Sequence, residues 1–143
     1  MPDHLQNIAL IGATGNIGSK VLTALLKQGK HTMTAITRAA SKSTFPKSVT
    51  VHRGDLKDAA FLHSALKGQD AVVSLVAHEG LEDEPKFLEA AKRVGVKVFV
   101  PSDFGNPLSD ERFVQALPMM ERKTQLVAKA CQAGIVAMNV VTT

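Results

Sequence analysis

The sequence predicts a doubly wound α/β fold, a parallel sheet between two layers of helices, on three observations. Short unbroken apolar runs alternate along the chain with amphipathic stretches of helical period. The helical stretches stop at glycines, namely Gly29, Gly68, Gly95 and Gly134. The first apolar run opens onto Gly12, Gly15 and Gly18 at three-residue spacing, and a helical pattern follows at once.

Asn7 to Gln28 sets the pattern. Ile8, Ala9, Leu10 and Ile11 are apolar without alternation, as a strand buried on both faces requires. After the glycines, Ile17, Val21, Leu22, Ala24, Leu25 and Leu26 share one side of a helical wheel, and Ser19, Lys20, Thr23 and Lys27 the other. Strand, glycine turn and amphipathic helix open a dinucleotide-binding βαβ unit of the Rossmann type. Gly12 allows a tight turn, Gly15 lets a phosphate approach the backbone, and Gly18 lets the helix pack closely on the sheet. The helix tip offers N–H groups and a positive dipole end to a pyrophosphate.

A second strand is expected from His31 to Thr37, ending at Arg38, followed by a polar loop from Ala39 to Ser48 containing Lys42, Pro46 and Lys47. Thr50 to His52 reads as a short third strand leading into Arg53-Gly54-Asp55-Leu56. Asp58 caps a helix from Ala59 to Lys67, and Ala71 to Ala77 is the fourth strand. Pro85, after Asp83 and Glu84, suits the first position of a helix that runs to about Val94. Val96 to Val100 is the fifth strand, ending at Pro101-Ser102-Asp103-Phe104-Gly105. A loop with Pro107 and Pro118 precedes a helix from Met119 to Ala133, and Ile135 to Val141 is the sixth strand. With right-handed crossovers, ligand binding belongs at the carboxyl ends of the strands, in the loops at Gly12, Arg38, Asp55, Ala77 and Ser102.

Length and composition narrow the function. A chain of 143 residues is expected to form one domain over 1–143 and to bury ~70% of its unfolded surface. No segment approaches the ~20 apolar residues that span a bilayer, and the N-terminus lacks a basic region of the signal-peptide kind. Cys131, the one cysteine, falls on the apolar side of its helix and reads as a small core residue in a reducing compartment, so a cytoplasmic protein is expected. The net charge of +4 is dispersed, with no Trp or Tyr for base stacking, which argues against nucleic acid and suits a small anionic ligand. The five histidines show no metal-ligand spacing, so no metal is expected; His78 follows the fourth strand and would line the pocket by position alone. Ser74 and Ser102 lack the context of a hydrolase nucleophile, and the spacing of GATGNIGSK is wrong for a phosphate-binding loop of the Walker type.

Arg38 selects the nucleotide. Sites that choose NAD place an acid near the end of the second strand, whereas here Thr37-Arg38 stands with no acid nearby. A guanidinium offers a planar fork to a 2′-phosphate, and Lys42 adds a second charge. The plain alternative is an exposed surface arginine. Asp55 ends the third strand, where its carboxylate or neighbouring backbone would meet the adenine amino group, or it serves only as a turn former. In the last helix Glu121, Arg122, Gln125, Lys129 and Gln132 form a polar arc. Lys123 instead falls near the middle of the apolar arc of Met119, Met120, Leu126, Val127, Ala130 and Cys131. A lysine so placed either snorkels out at the rim or faces a polar cavity, where burial lowers its pKa and makes the amine a proton donor or acceptor.

These motifs together resemble the NmrA-like and isoflavone-reductase-like branch of atypical short-chain dehydrogenases. The matching stretches are GATGNIG (Gly12 to Gly18), Thr37-Arg38, GDL (Gly54 to Leu56) and EAAKRVGVKVFVPSDFG (Glu89 to Gly105), with Lys123 eleven residues before Gly134. The similarity covers essentially the whole chain and about the N-terminal half of a typical member. It implies an NADP(H)-binding Rossmann fold and, in the reductase members, reduction of a small, phenolic or otherwise aromatic substrate. Cofactor contacts are expected at Gly12, Thr14, Gly15, Asn16, Ile17, Gly18, Arg38, Lys42, Asp55, Ala77, Ser102 and Phe104. Lys123 matches the family lysine viewed as the general acid/base, and with no tyrosine in the chain a Tyr-x-x-x-Lys mechanism is excluded. Plant reductases commonly carry Gln near the position of Glu84, a departure here. Two functions are therefore expected to compete: an NADPH-dependent reductase with Lys123 handling the proton, and a non-catalytic redox sensor of the NmrA type. The family's C-terminal substrate part lies outside the similarity, so apolar surface beside the sixth strand is expected to favour a homo-oligomer or a partner chain.

Overall fold

The computed structural model describes residues 5–13, 15–76, 82–102 and 118–137. Strand β1 (Asn7–Ile11) leads through helix α1 (Asn16–Gln28) to β2 (Thr32–Arg38) and, without a helix, to β3 (Thr50–Gly54). Helix α2 (Ala59–Leu66) then leads to β4 (Ala71–Ser74), and α3 (Glu84–Val94) to β5 (Val98–Val100). Helix α4 (Pro118–Gln132) precedes β6 (Val136–Ala137). All six strands are parallel, in the order β3-β2-β1-β4-β5-β6. β1 is therefore central, with Ile8 opposite Met33 on one side and Ala71 on the other. The chain turns outward in opposite directions from it, which opens a crevice at the carboxyl ends of β1 and β4.

The unbroken apolar run of β1 follows from having cover on both faces. Ala9 and Ile11 point into a core with Leu62, Leu66, Phe87, Ala91, Leu126 and Ala130, supplied by α2, α3 and α4. Ile8 and Leu10 point the other way, to Leu22 of α1, Met33 and Val49, with Val21, Leu25 and Phe45 packed against them. On that second face the β2–β3 connection takes the place of a helix, laying Phe45 and Val49 against the sheet. The expected three-layer α/β/α Rossmann arrangement is the one observed.

Element ends differ from the sequence reading where backbone groups are needed elsewhere. β5 begins at Val98 rather than Val96, because Gly95 takes the left-handed conformation and Val96 N–H closes onto Ala91 O at 3.0 Å, ending α3. Ile135 N–H closes in the same way onto Ala130 O at 2.9 Å, so β6 starts at Val136. β4 stops at Ser74, and Val76 N–H donates to the Ser102 hydroxyl instead of a strand. The expected ends of the fourth strand at Ala77 and the sixth at Val141 lie outside the described residues.

Two expected core residues are on the surface. Ile17 is 50% exposed in the first turn of α1, where Leu22 and not Ile17 sets the line of contact with the sheet. Cys131 is exposed because Leu126 and Ala130, one turn apart, define the buried side of α4, and the next residue is rotated ~100° away. Among the described residues no helix is long and apolar enough to cross a membrane, and no His, Cys, Asp and Glu group would hold a metal.

The glycine turn is fixed by two different constraints. Gly12 has φ +89°, and a Cβ there would sit 2.7 Å from Leu75 O. A Cβ on Gly18 would overlap Gly12 O and lie 2.9 Å from Ala13 Cα. Gly15 meets neither limit, since its Cβ would find only Gly12 O, at 3.7 Å. Gly12→Ala is expected to cost about 3 kcal/mol from the strained φ plus the clash, whereas Gly15→Ala stays within about 1 kcal/mol of the parent. Urea unfolding of the two variants tests the difference.

Candidate functional site

A cavity of about 680 Å³ opens at the carboxyl edge of the sheet, a size that suits a small-molecule ligand. Its walls come from several places on the chain. Gly12 and Gly15 bring the turn after β1, Thr37 to Ala39 with Ser41 bring the end of β2, and Gly54 to Lys57 bring the end of β3. Leu75, Val76, Asp83 and Phe87 close the side beside β4.

The turn after β1 is built for close approach. Gly15 stands at the N-cap of α1 in an extended conformation, with no side chain capping the helix. Its own N–H is turned back to Gly12 O at 3.3 Å, and the first helical bond runs from Ser19 N–H to Gly15 O at 2.9 Å. An uncapped helix start without a Cβ in front of it is a favourable seat for an anionic group.

At the end of β2, Arg38 is exposed on the cavity wall beside Gly54, its partner in the β2–β3 register. Arg38 O accepts from Ser41 N–H at 3.0 Å, which turns the chain immediately after the strand. Lys42 is exposed on that turn and does not itself line the cavity. Gly54 is needed because the Phe61 ring of α2 lies against it, 2.5 Å from where a Cβ would be.

Asp55 is a turn former that also stands on the cavity wall. One carboxylate oxygen accepts from Lys57 N–H at 2.9 Å, forming an Asx turn, while the residue remains exposed on the cavity wall. Asp58 caps α2 as expected, accepting from Ala60 N–H at 2.9 Å.

Ser102 takes a different place from the one its loop position suggested. It is buried, and its hydroxyl donates to Ser74 O at 2.6 Å and accepts from Val76 N–H at 2.9 Å. Its N–H donates to Glu84 Oε2 at 3.0 Å. Ser102 therefore ties the ends of β4, β5 and α3 together behind the cavity rather than lining it. Glu84 is only 2% exposed, and the bond from Ser102 N–H offsets part of the cost of that burial.

Gly18 supports the turn by packing and does not line the cavity either. Thr14, Ala77, His78 and Phe104 lie outside the described residues, as do the side chains of Asn16 and Lys123. The backbone of Lys123 is in α4, three and seven residues before the buried Leu126 and Ala130. Lys57, Asp83 and Phe87 were not among the sequence-based candidates. Lys57 follows GDL directly and was within reach of that motif, but nothing in the sequence marked the start of α3 as a wall.

Sheet order, glycine turn and crevice define a protein of the Rossmann class. Residues 4–143 match the model of the NmrA-like family, and the chain belongs to that family. It is 38% identical over 144 aligned residues to the phenylcoumaran benzylic ether reductase Betv6 of Betula pendula, covering 92% of this chain and 46% of that one. It is 34% identical over 127 residues to the oxidoreductase aprR of Aspergillus flavus, covering 88% and 43% respectively. Among solved structures, AtPrR2 with NADP+ and (+)-pinoresinol superposes with a TM-score of 0.82 at 25% identity, over 96% of this chain and 50% of that one. The leucoanthocyanidin reductase–NADPH complex of Vitis vinifera superposes with a TM-score of 0.74 at 26% identity, over 93% and 46%. The chain thus spans about half the length of the relatives it matches.

The buried Glu84–Ser102 bond gives a direct test of the wall behind the cavity. Glu84→Ala strands a buried N–H and is expected to cost about 1–3 kcal/mol, while Glu84→Gln keeps an acceptor and most of the stability. Thermal and urea unfolding of the two variants distinguish them.

Proposed function

We propose that this chain binds NADP(H) in the cavity between the glycine turn and Arg38, as the cofactor-binding part of an NADPH-dependent reductase. The observation that carries the proposal is Arg38, exposed on the cavity wall at the end of β2. In the chain it is flanked by Thr37, Ala39, Ala40, Ser41, Lys42 and Ser43, so the end of β2 itself carries no carboxylate to accept from a ribose 2′-OH. The pyrophosphate would rest on the uncapped start of α1, the 2′-phosphate at Arg38 with Lys42 nearby, and the adenine towards Asp55. The NADP+ and NADPH bound to AtPrR2 and to leucoanthocyanidin reductase, structures of similar sheet and chain course, support the same nucleotide here.

For the reaction, the cofactor when bound supplies the hydride. The substrate class is a small aromatic molecule, in line with the names of the relatives. Lys123 is the candidate proton donor or acceptor. Its backbone place in α4, three residues before the buried Leu126, supports that role.

A second reading has one observation in its favour. The walls described around the cavity, the glycine turn and the ends of β2 and β3 with Arg38 and Asp55, are those of a nucleotide crevice. On that reading the protein reports the redox state of NADP(H) through its conformation and reduces nothing.

Two measurements test these readings. Calorimetry is expected to give at least tenfold weaker NADP+ binding for Arg38→Asp, a loss of roughly 1.4 kcal/mol or more, with NAD+ changed little. Equal loss of both nucleotides would remove the 2′-phosphate assignment. NADPH oxidation across a panel of aromatic substrates is expected to fall by about 10²-fold or more in Lys123→Ala with nucleotide binding retained. A parent that binds NADPH tightly and turns over no substrate would establish the sensor reading.

A further inference from the structure

Arg53 is the residue of the β3 edge that neither the glycine turn nor Arg38 accounts for. It pairs with Thr37 in the β2–β3 register, one position before Arg38 and Gly54. Its guanidinium reaches over β2 and forks onto the turn that follows Arg38. One terminal nitrogen donates to Ser41 O at 2.9 Å and the other to Ser43 O at 2.5 Å. The first nitrogen also lies 3.5 Å from the Thr37 hydroxyl.

Among the described residues, then, its hydrogen bonds run to neutral oxygens of one short turn rather than to a carboxylate. The turn itself is already tight, with Ser41 N–H on Arg38 O at 3.0 Å and the Ser41 and Ser43 hydroxyls 3.2 Å apart. It carries Lys42 at its apex and Ser41 onto the cavity wall. Without the fork, no regular element would hold this stretch, because β2 ends at Arg38 and β3 begins at Thr50.

Building on the NADP(H) reading above, we propose that Arg53 is a positioning residue for nucleotide selectivity: its forked bonds hold the Ser41–Ser43 turn in the shape that receives a 2′-phosphate beside Arg38. Arg53 does not line the cavity and contacts no ligand in this role. It preorganises the turn, so the ordering entropy is met on folding and not on binding. It also adds a positive charge that forms no ion pair among the described residues. Geometry and charge can be separated, because a lysine keeps the charge and loses the planar fork.

The experiment is calorimetric titration of the full chain and of Arg53→Met and Arg53→Lys with 2′,5′-ADP and with 5′-AMP. Arg53→Met is expected to weaken 2′,5′-ADP about tenfold and 5′-AMP by less than about twofold, because the cost of ordering the turn then falls on binding. Arg53→Lys stays close to Arg53→Met, and in both variants hydrogen exchange of the 41–44 amides speeds up. Unchanged 2′,5′-ADP affinity in Arg53→Met overturns the proposal, as does equal loss of both ligands, which a general loss of fold would also produce. Full recovery by Arg53→Lys overturns the fork and leaves charge alone. If the parent does not favour 2′,5′-ADP over 5′-AMP, the NADP(H) reading itself fails and this inference fails with it. If the parent favours 2′,5′-ADP and only the variants behave otherwise than expected, the reading stands and the positioning role falls.

Discussion

The structure depends on how closely three backbone segments meet at the carboxyl end of β1. Ile11 O accepts from Leu75 N–H at 2.7 Å, which draws the end of β4 against the turn after β1. That leaves no room for a side chain on Gly12, and the main chain of Gly12 and Ala13 leaves none on Gly18. At the glycine turn the crevice is therefore shaped by main chain rather than by side chains. A ligand seated there meets peptide groups already held in place, which is the arrangement that preorganisation favours.

Away from that point the rim changes character. On the β2–β3 side it is made of polar turns: the Asx turn at Asp55, the tight turn at Arg38 and the fork of Arg53. Arg38, Asp55 and Lys57 line the cavity there, Lys42 is exposed on the adjoining turn, and Arg53 is bonded to that turn. Behind β4 and β5 the support is instead buried. Ser74, Ser102 and Glu84 bond to one another out of contact with water, and a carboxylate in such a place is tolerated only while its acceptors are used. One side of the site is thus open to the solvent field and the other is insulated from it, and charge selection belongs to the open side.

Much of this was legible in the chain. The run at Ile8 to Ile11 and the glycine spacing fixed the central strand and its turn, because burial on both faces and a missing Cβ leave unambiguous marks. Arg38, Gly12, Gly15 and Asp55 came to the cavity wall for the same reason: each sits at a strand end, and strand ends converge. Ser102 followed the same rule of position but turned inward, since whether a hydroxyl serves a ligand or a neighbouring carbonyl is decided by three-dimensional neighbours. Cys131 and Ile17 illustrate the limit of the helical wheel. It ranks a side of a helix by composition, whereas the sheet covers only a strip of that side, here Leu22 on α1 and Leu126 with Ala130 on α4. Arg53 was invisible because its partners are main-chain carbonyls, which carry no letter in the sequence.

The absence of a helix between β2 and β3 has a mechanical consequence. Every other described crossover lays a stiff rod across the sheet, but here the outer edge is covered by an extended strap bearing Phe45 and Val49. Such a cover opens at lower free energy than the helical layers do, so the β3 margin is the compliant border of an otherwise firm sheet. A nucleotide whose two ends rested on α1 and on that margin would act as a brace between them. Proteolytic cutting within residues 39–49 would then report occupancy of the crevice without any chemistry taking place.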